Sequence, residues 1–380
     1  MLKKLLCVLV CVCYLGCIFP LSVQGGEVTV SAVSAVVINA HTREILFSVN
    51  PYEKRGMAST TKIMTALVAL EQGELTDTTK AGLSDVTIEG TSIGLKAGDE
   101  ISLETLVAGM LLESGNDAAN VTATMIGGSE EGFCKLMNKK AEELNLSSTQ
   151  FKNPSGLTEE GHYSTAYDMA MLSANAIKNK DFRRLCSTKQ YRAVYGTPQY
   201  ERTFYNHNKF LDRFDGAFGI KTGFTKASGR CLVTAAQRKG VTLVAVTLNA
   251  RDDWNDHIKM MEYAFSILEH RKIQLNKEQL KIPVVGSDKK YITAKLSSPL
   301  SFHCTENFTG YSTEIYVDSF LYAGVKKGDF VGRAEIKNEK GDVIVSSYLI
   351  SDSDAEIKKC EKDTTDVFEK FIKIIRKGLS

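Results

Sequence analysis

The 380 residues are 43% hydrophobic and 24% charged, which excludes a disordered chain and leaves room for two or three domains, each with its own core. Lys and Arg number 47 against 45 Asp and Glu, so no basic field argues for a nucleic-acid partner. Four of the nine cysteines (Cys7, Cys11, Cys13, Cys17) sit in the first 26 residues. The rest (Cys134, Cys186, Cys231, Cys304, Cys360) are scattered without CxxC or paired His/Cys spacing, which argues against a disulfide framework and against a metal site.

In chain order, Lys3 and Lys4 precede an apolar run from Leu5 to Val23 and then Gly25-Gly26, the layout of a secretory signal over residues 1–26. A retained anchor, or a lipoprotein cut before Cys17, is the alternative. Ser34 to Asn39 and Ile45 to Val49 read as a two-stranded hairpin. From Ala58 to Gly73 the apolar Ile63, Ala66, Leu67 and Leu70 recur at helical spacing. Ser102 to Leu112 is a second helix, broken at Ser114-Gly115-Asn116 and resumed from Asp117 to Ile126. Helices follow over Glu130 to Leu144 and Ala166 to Asn179, separated by the turn Asn153-Pro154-Ser155-Gly156. Strands return at Phe218 to Phe224, Arg230 to Ala236 and Val241 to Asn249, and a helix runs from Trp254 to Glu269. Strands at both ends of a helical middle predict an α+β domain whose sheet is assembled from distant pieces. Beyond about residue 275 short alternating stretches (Tyr291 to Leu296, Glu314 to Val317, Phe330 to Ile336, Val343 to Ile350) predict a small all-β module. Asp366 to Ser380 places Val367, Phe368, Phe371, Ile372, Ile374, Ile375 and Leu379 opposite Glu369, Lys370, Lys373, Arg376 and Lys377, an interfacial helix too short to span a bilayer. The predicted division is a signal over 1–26, an α+β domain over 27–272, a small β-sandwich-like domain over 275–360 and an amphipathic helix over 361–380.

Within the first predicted helix a hydroxyl (Ser59) and an amine (Lys62) stand three residues apart, neighbours on one face. A serine is a poor nucleophile until a base takes its proton, and a lysine shielded from water can be that base. The pair alone does not separate this from a helix cap beside a solvated lysine, since Ser287 and Lys290 share the spacing. Two further elements follow in order: Ser114-x-Asn116 on an interhelical loop and Lys221-Thr222-Gly223 on a strand. Together they match the placements of a serine acyl-enzyme motif set. Gly223 on a strand lets a substrate backbone lie close.

On these motifs, and on the segments 34–50, 57–71, 111–120, 153–157, 162–170 and 215–225, the chain closely resembles the low-molecular-mass penicillin-binding proteins that act as serine-type D-alanyl-D-alanine carboxypeptidases. The resemblance implies a β-lactamase/transpeptidase-like catalytic domain, an antiparallel sheet with a helical cluster, followed by the β domain and a basic C-terminal membrane helix. It implies that Ser59 attacks the carbonyl between the terminal D-alanines of a peptidoglycan stem, Lys62 is the general base and Ser114 relays the proton. Asn116 then holds the substrate amide and Lys221 and Thr222 the terminal carboxylate. The backbone N–H groups of Ser59 and Phe224 form the oxyanion hole, no cofactor is needed, and β-lactams are covalent inhibitors. The expected location is the extracytoplasmic face of the membrane or outside it; the oligomeric state is left open. Arg251 could add charge near the carboxylate, or be a solvated residue at a strand end. Among rivals, a β-lactamase needs an ExxLN acid, but Glu142-Glu143-Leu144-Asn145 puts Ala141 where that acid belongs. A D,D-endopeptidase and an inactive wall-binding scaffold are the others. Of the six histidines, none has metal spacing; His162, inside a family-like segment, is the one candidate and is read as structural or supporting.

Overall fold

The computed structural model describes residues 28–358 and 364–377. The predicted signal over residues 1–26 lies outside them. Its central sheet contains β1 (Ser34–Asn39), β2 (Ile45–Val49), β3 (Ala217–Thr225), β4 (Gly229–Arg238) and β5 (Val241–Leu248) in the order β2-β1-β5-β4-β3, every neighbouring pair antiparallel. All residues of β1 and β5 are buried. That explains why their sequences are mostly apolar and do not alternate: a central strand covered on both faces has no wet side. Strand β3 is an edge, and its free side faces the helices.

The helices of six residues or more in this body are α1 (Lys62–Gln72), α2 (Leu103–Ala108), α3 (Asn116–Gly127), α4 (Glu130–Glu143), α5 (Ala166–Ala176), α6 (Lys180–Ser187) and α7 (Asp253–Ser266). Most of them form one large core with one face of the sheet, through residues such as Val36, Met64, Leu106 and Val246. Helix α7 covers the other face, where Met260 and Met261 meet Val37, Phe210 and Leu243. Hydroxyl caps mark several starts: Ser129 Oγ accepts from Gly132 N and Thr165 Oγ1 from Asp168 N, each satisfying an otherwise orphan first-turn donor. Helix α6 and the hairpin Gln190–Tyr195/Tyr200–Tyr205 have no counterpart in the sequence reading. The helix is short and strongly charged, with only Phe182, Leu185 and Cys186 buried.

The β-rich remainder forms a six-stranded sheet in the order Tyr311–Val317, Phe330–Asn338, Val343–Ser351, Tyr291–Leu296, Lys281–Val285, Leu321–Tyr322. It encloses its own core, including Ile282, Ile292, Ala334, Ile336 and Leu349. Strand Glu269–Lys272 leaves α7 and pairs with Ser301–Cys304, so the chain enters the second body as part of its structure. Side chains clamp the two bodies together. Asp342 accepts from Arg43 (3.3 Å) and Lys178 (3.1 Å), Asn39 Nδ2 donates to the His303 carbonyl (3.0 Å) and Asn338 Nδ2 to that of His41 (3.0 Å). The predicted C-terminal helix is present as α8 (Thr364–Lys377).

Candidate active site

Ser59 lies on a 3-10 turn, Ala58–Thr61, that runs directly into α1. The sequence reading put both Ser59 and Lys62 in one α-helical turn; the tighter turn precedes it because Thr60 N and Oγ1 both bond Met57 O, while Thr61 Oγ1 donates to Ala58 O at 2.8 Å. Ala58 itself has φ +48°. A residue with a Cβ held in the left-handed region costs about 1–3 kcal/mol and persists only where its surroundings over-determine it. Ser114 has φ +64° at the end of the π-helical turn Gly109–Glu113, so two of the expected catalytic segments carry this strain.

Three pieces distant in sequence meet here. On β3, a Cβ added to Gly223 would fall 2.9 Å from Ser59 N and 3.0 Å from Thr60 N, so the strand edge lies hard against the turn and only glycine fits. Phe224, next along, is 64% exposed at the rim. On α1, Lys62 is fully buried, and its Nζ reaches Ser59 Oγ at 3.1 Å, Asn116 Oδ1 at 2.7 Å and the Ser155 carbonyl at 2.6 Å. Asn116 Nδ2 in turn donates to the Glu89 carbonyl at 2.6 Å. Asn116 thus holds the lysine as well as presenting an amide, a role the sequence did not suggest.

The contact set determines what Lys62 can do. Two of its partners, Asn116 Oδ1 and Ser155 O, are acceptors only. A neutral amine has two hydrogens and one lone pair; with both hydrogens spent on those acceptors, the lone pair is left for Ser59 Oγ–H. Burial, and then the charge of Lys221, push the Lys62 ammonium well below the usual lysine range, while Asp117 pulls the other way. Lys221 is also fully buried, and burial lowers it to about 7; its Nζ donates to Thr222 O at 2.8 Å.

Two supporting groups were not legible as such in the sequence. Asp117 is fully buried and accepts from Ile93 N and Leu95 N (3.0 Å each) and Ser92 Oγ (2.5 Å), tying that loop to the start of α3. Ser155 contributes a carbonyl, aimed by a turn in which Asn153 Oδ1 accepts from Gly156 N at 2.8 Å. The Asn-Pro-Ser-Gly string announces the turn, but nothing in it names the lysine. His162 is 7% exposed, with Nε2 2.9 Å from Thr61 Oγ1. Arg251, Glu142 and Glu143 are exposed. Among the described residues no group of three or more His, Cys, Asp or Glu side chains could hold a metal ion.

Residues 22–252 match the model of the D-alanyl-D-alanine carboxypeptidase family. The chain is 34% identical over 341 residues to D-alanyl-D-alanine carboxypeptidase DacF of Bacillus subtilis, covering 86% of this chain and 87% of that one. It is 39% identical over 189 residues to DacB2 of Mycobacterium tuberculosis, 49% of this chain and 64% of the relative. Among solved structures it resembles the Streptomyces K15 DD-transpeptidase, with a TM-score of 0.60 and 31% identity over 63% of this chain and 98% of that one. Penicillin-binding protein 5 of Haemophilus influenzae shares the fold over 86% of this chain and 98% of its own, at 24% identity and a TM-score of 0.63.

Proposed function

Because the chain belongs to the D-alanyl-D-alanine carboxypeptidase family, we propose that Ser59, Lys62 and Ser114 carry out its acyl transfer, with Asn116, Lys221 and Thr222 binding substrate. The protein is a serine peptidase of the penicillin-binding class, acting on peptidoglycan stem peptides outside the cytoplasm and acylated by β-lactams. The observation that carries the residue assignment is the contact set of Lys62. As neutral Lys62 takes the Ser59 proton, Oγ attacks the carbonyl carbon of the penultimate D-alanine. The N–H groups of Ser59 and Phe224 hold the oxyanion, a contribution of about 3–4 kcal/mol per donor in such sites. Collapse breaks the C–N bond, and the proton on Lys62 passes through Ser114 to the departing amine of D-alanine. Water then hydrolyses the ester, Lys62 again accepting a proton and the Ser59 oxygen recovering one. The stem peptide lies extended along the free edge of β3, its terminal carboxylate at Lys221 and Thr222. A protonated Lys221 makes that contact charge-assisted, which selects a free C-terminus. We assign residues 27–272 to catalysis and 275–360 to a separate β module with its own core.

Release of D-alanine from a linear pentapeptide tests the reading. We expect turnover on that substrate, little cleavage of crosslinked muropeptide, and a penicilloyl adduct that persists after gel filtration. Faster cleavage of the crosslink would make the enzyme an endopeptidase, and rapid hydrolysis of penicillin would make it a β-lactamase.

We assign α8 to the membrane surface. Its Phe371, Ile372, Ile374 and Ile375 are 43–70% exposed, and Arg376 and Lys377 close its last turn. Fourteen residues span about 21 Å, short of a bilayer core, and among the described residues no helix is long and apolar enough to cross a membrane. The mature chain is expected to sediment with anionic phosphatidylglycerol vesicles, and a chain lacking residues 361–380 to stay in solution. Equal sedimentation of both would remove the assignment.

A further inference from the structure

The nucleophile's turn is held from behind by a chain of hydrogen bonds that the acyl-transfer chemistry does not use. Lys152 N–H donates to His162 Nδ1 at 3.0 Å, His162 Nε2 lies 2.9 Å from Thr61 Oγ1, and Thr61 Oγ1 is 2.8 Å from the Ala58 carbonyl. The proton positions follow from the partners. A carbonyl only accepts, so the single hydroxyl proton of Thr61 goes to Ala58 O, and Thr61 must accept from His162. Lys152 N–H only donates, so Nδ1 must be unprotonated. Both ends require the same species, neutral imidazole with its proton on Nε2. Burial favours that form and lowers the histidine to about 4, with Glu159 opposing and Lys62 reinforcing the shift.

The acceptor at the end of this chain is the residue before the nucleophile. Ala58, with φ +48°, sits in a conformation it would leave if released. Its carbonyl is boxed in on another side, since a Cβ on Gly156 (φ +86°) would fall 2.0 Å from Ala58 O and 2.8 Å from Thr61 Oγ1. The peptide plane fixed by Ala58 O also carries the Ser59 N–H, because the two belong to one planar unit.

We propose that His162 is a positioning residue: through Thr61 it locks the Ala58–Ser59 peptide, and so sets the direction of the Ser59 N–H and the reach of its Oγ toward Lys62. The proposal rests on Ser59 being the nucleophile. It separates His162 from a residue that merely fills space, because an apolar side chain of similar size preserves packing but neither accepts from Lys152 nor donates to Thr61. Glutamine, by contrast, offers both an acceptor and a donor.

The test is stopped-flow acylation of the mature chain by a fluorescent penicillin, on wild type, His162→Leu, His162→Gln, Thr61→Val and the Thr61→Val/His162→Leu double variant, each checked by thermal melting. In His162→Leu the saturating acylation rate is expected to fall about 10- to 100-fold, the scale of a small misplacement at a reacting centre, with half-saturation moving less than about threefold. Thr61→Val should show the same loss, and the double variant no more than either single change, because both cut one chain. His162→Gln should recover to within about threefold of wild type. If His162→Leu does not fold, the Gln and Thr61→Val variants carry the test. A folded His162→Leu or Thr61→Val that acylates at the wild-type rate, losses that multiply in the double variant, or a folded His162→Gln as slow as His162→Leu overturns the proposal. Failure of the wild type to be labelled at all would instead overturn Ser59 as nucleophile.

Discussion

Ser59→Ala is expected to release no D-alanine above background and to take no penicillin label, and Lys62→Met to lower the acylation rate by roughly 10⁴- to 10⁶-fold, the range seen when one member of a catalytic unit is removed. The two variants act as a unit in this reading, so the double variant should be no slower than Ser59→Ala. Lys62→Met keeps the volume of the side chain but leaves Asn116 Oδ1 and the Ser155 carbonyl without a donor. Unpaired buried acceptors cost about 1–3 kcal/mol each, opposed by removal of an amine whose protonation burial disfavours. Its stability should therefore move little, and an inactive, folded Lys62→Met separates loss of the base from loss of the fold. Label on folded Ser59→Ala, or acylation of Lys62→Met within tenfold of wild type, would refute the assignment. D-alanine release and gel fluorescence read both.

Lys221→Met is expected to lower kcat/KM for pentapeptide by roughly 10²–10³-fold, the effect of truncating one partner of a buried charge contact, while raising the melting temperature. The gain follows from proton linkage. Lys221 ionises at about 7 in the fold against an ordinary lysine value of 10.5, so between those limits the unfolded chain holds more protons than the folded one. Wild-type stability from this group therefore rises with pH through that window, and its penalty is fully felt below about pH 7. Lys221→Met removes the penalty, so its advantage should be largest in acid and shrink toward pH 10.5. Thermal melts of both proteins across that range check the sign. An advantage that grows with pH would contradict it. The same ionisation bears on activity: in the free enzyme the positive charge that meets the substrate carboxylate fades above about pH 7, so kcat/KM should decline on the alkaline side, and a bound carboxylate should move that decline upward in kcat.

The sheet was readable because its strands leave strong local signals. Val241 to Leu248 is apolar apart from two threonines, and wholly buried, and a run of that kind between turn residues has few other readings. The three motifs were readable for a different reason: each is short, and their order matches the placements such chemistry needs. What escaped reading depends on groups every residue possesses. Ser155 and Glu89 act through carbonyl oxygens, which no side-chain pattern encodes. In the sequence Asp117 marks only where a helix resumes, and only the fold brings Ile93 and Leu95 to its carboxylate. Asn116 was assigned to substrate because its motif says so, whereas its bond to Lys62 requires α1 and α3 to be neighbours. Helix α6 was missed because its charged surface outweighs three buried side chains.

Strand β1 finds its inner neighbour in β5, about 200 residues further along, and topologies dominated by such distant pairings fold slowly. An emerging polypeptide therefore cannot close the sheet, or bring Lys221 beside Ser59, until nearly the entire first body has been synthesised. Until then the alcohol and its cationic neighbour stay apart along the polymer, and no hydrolytic centre exists.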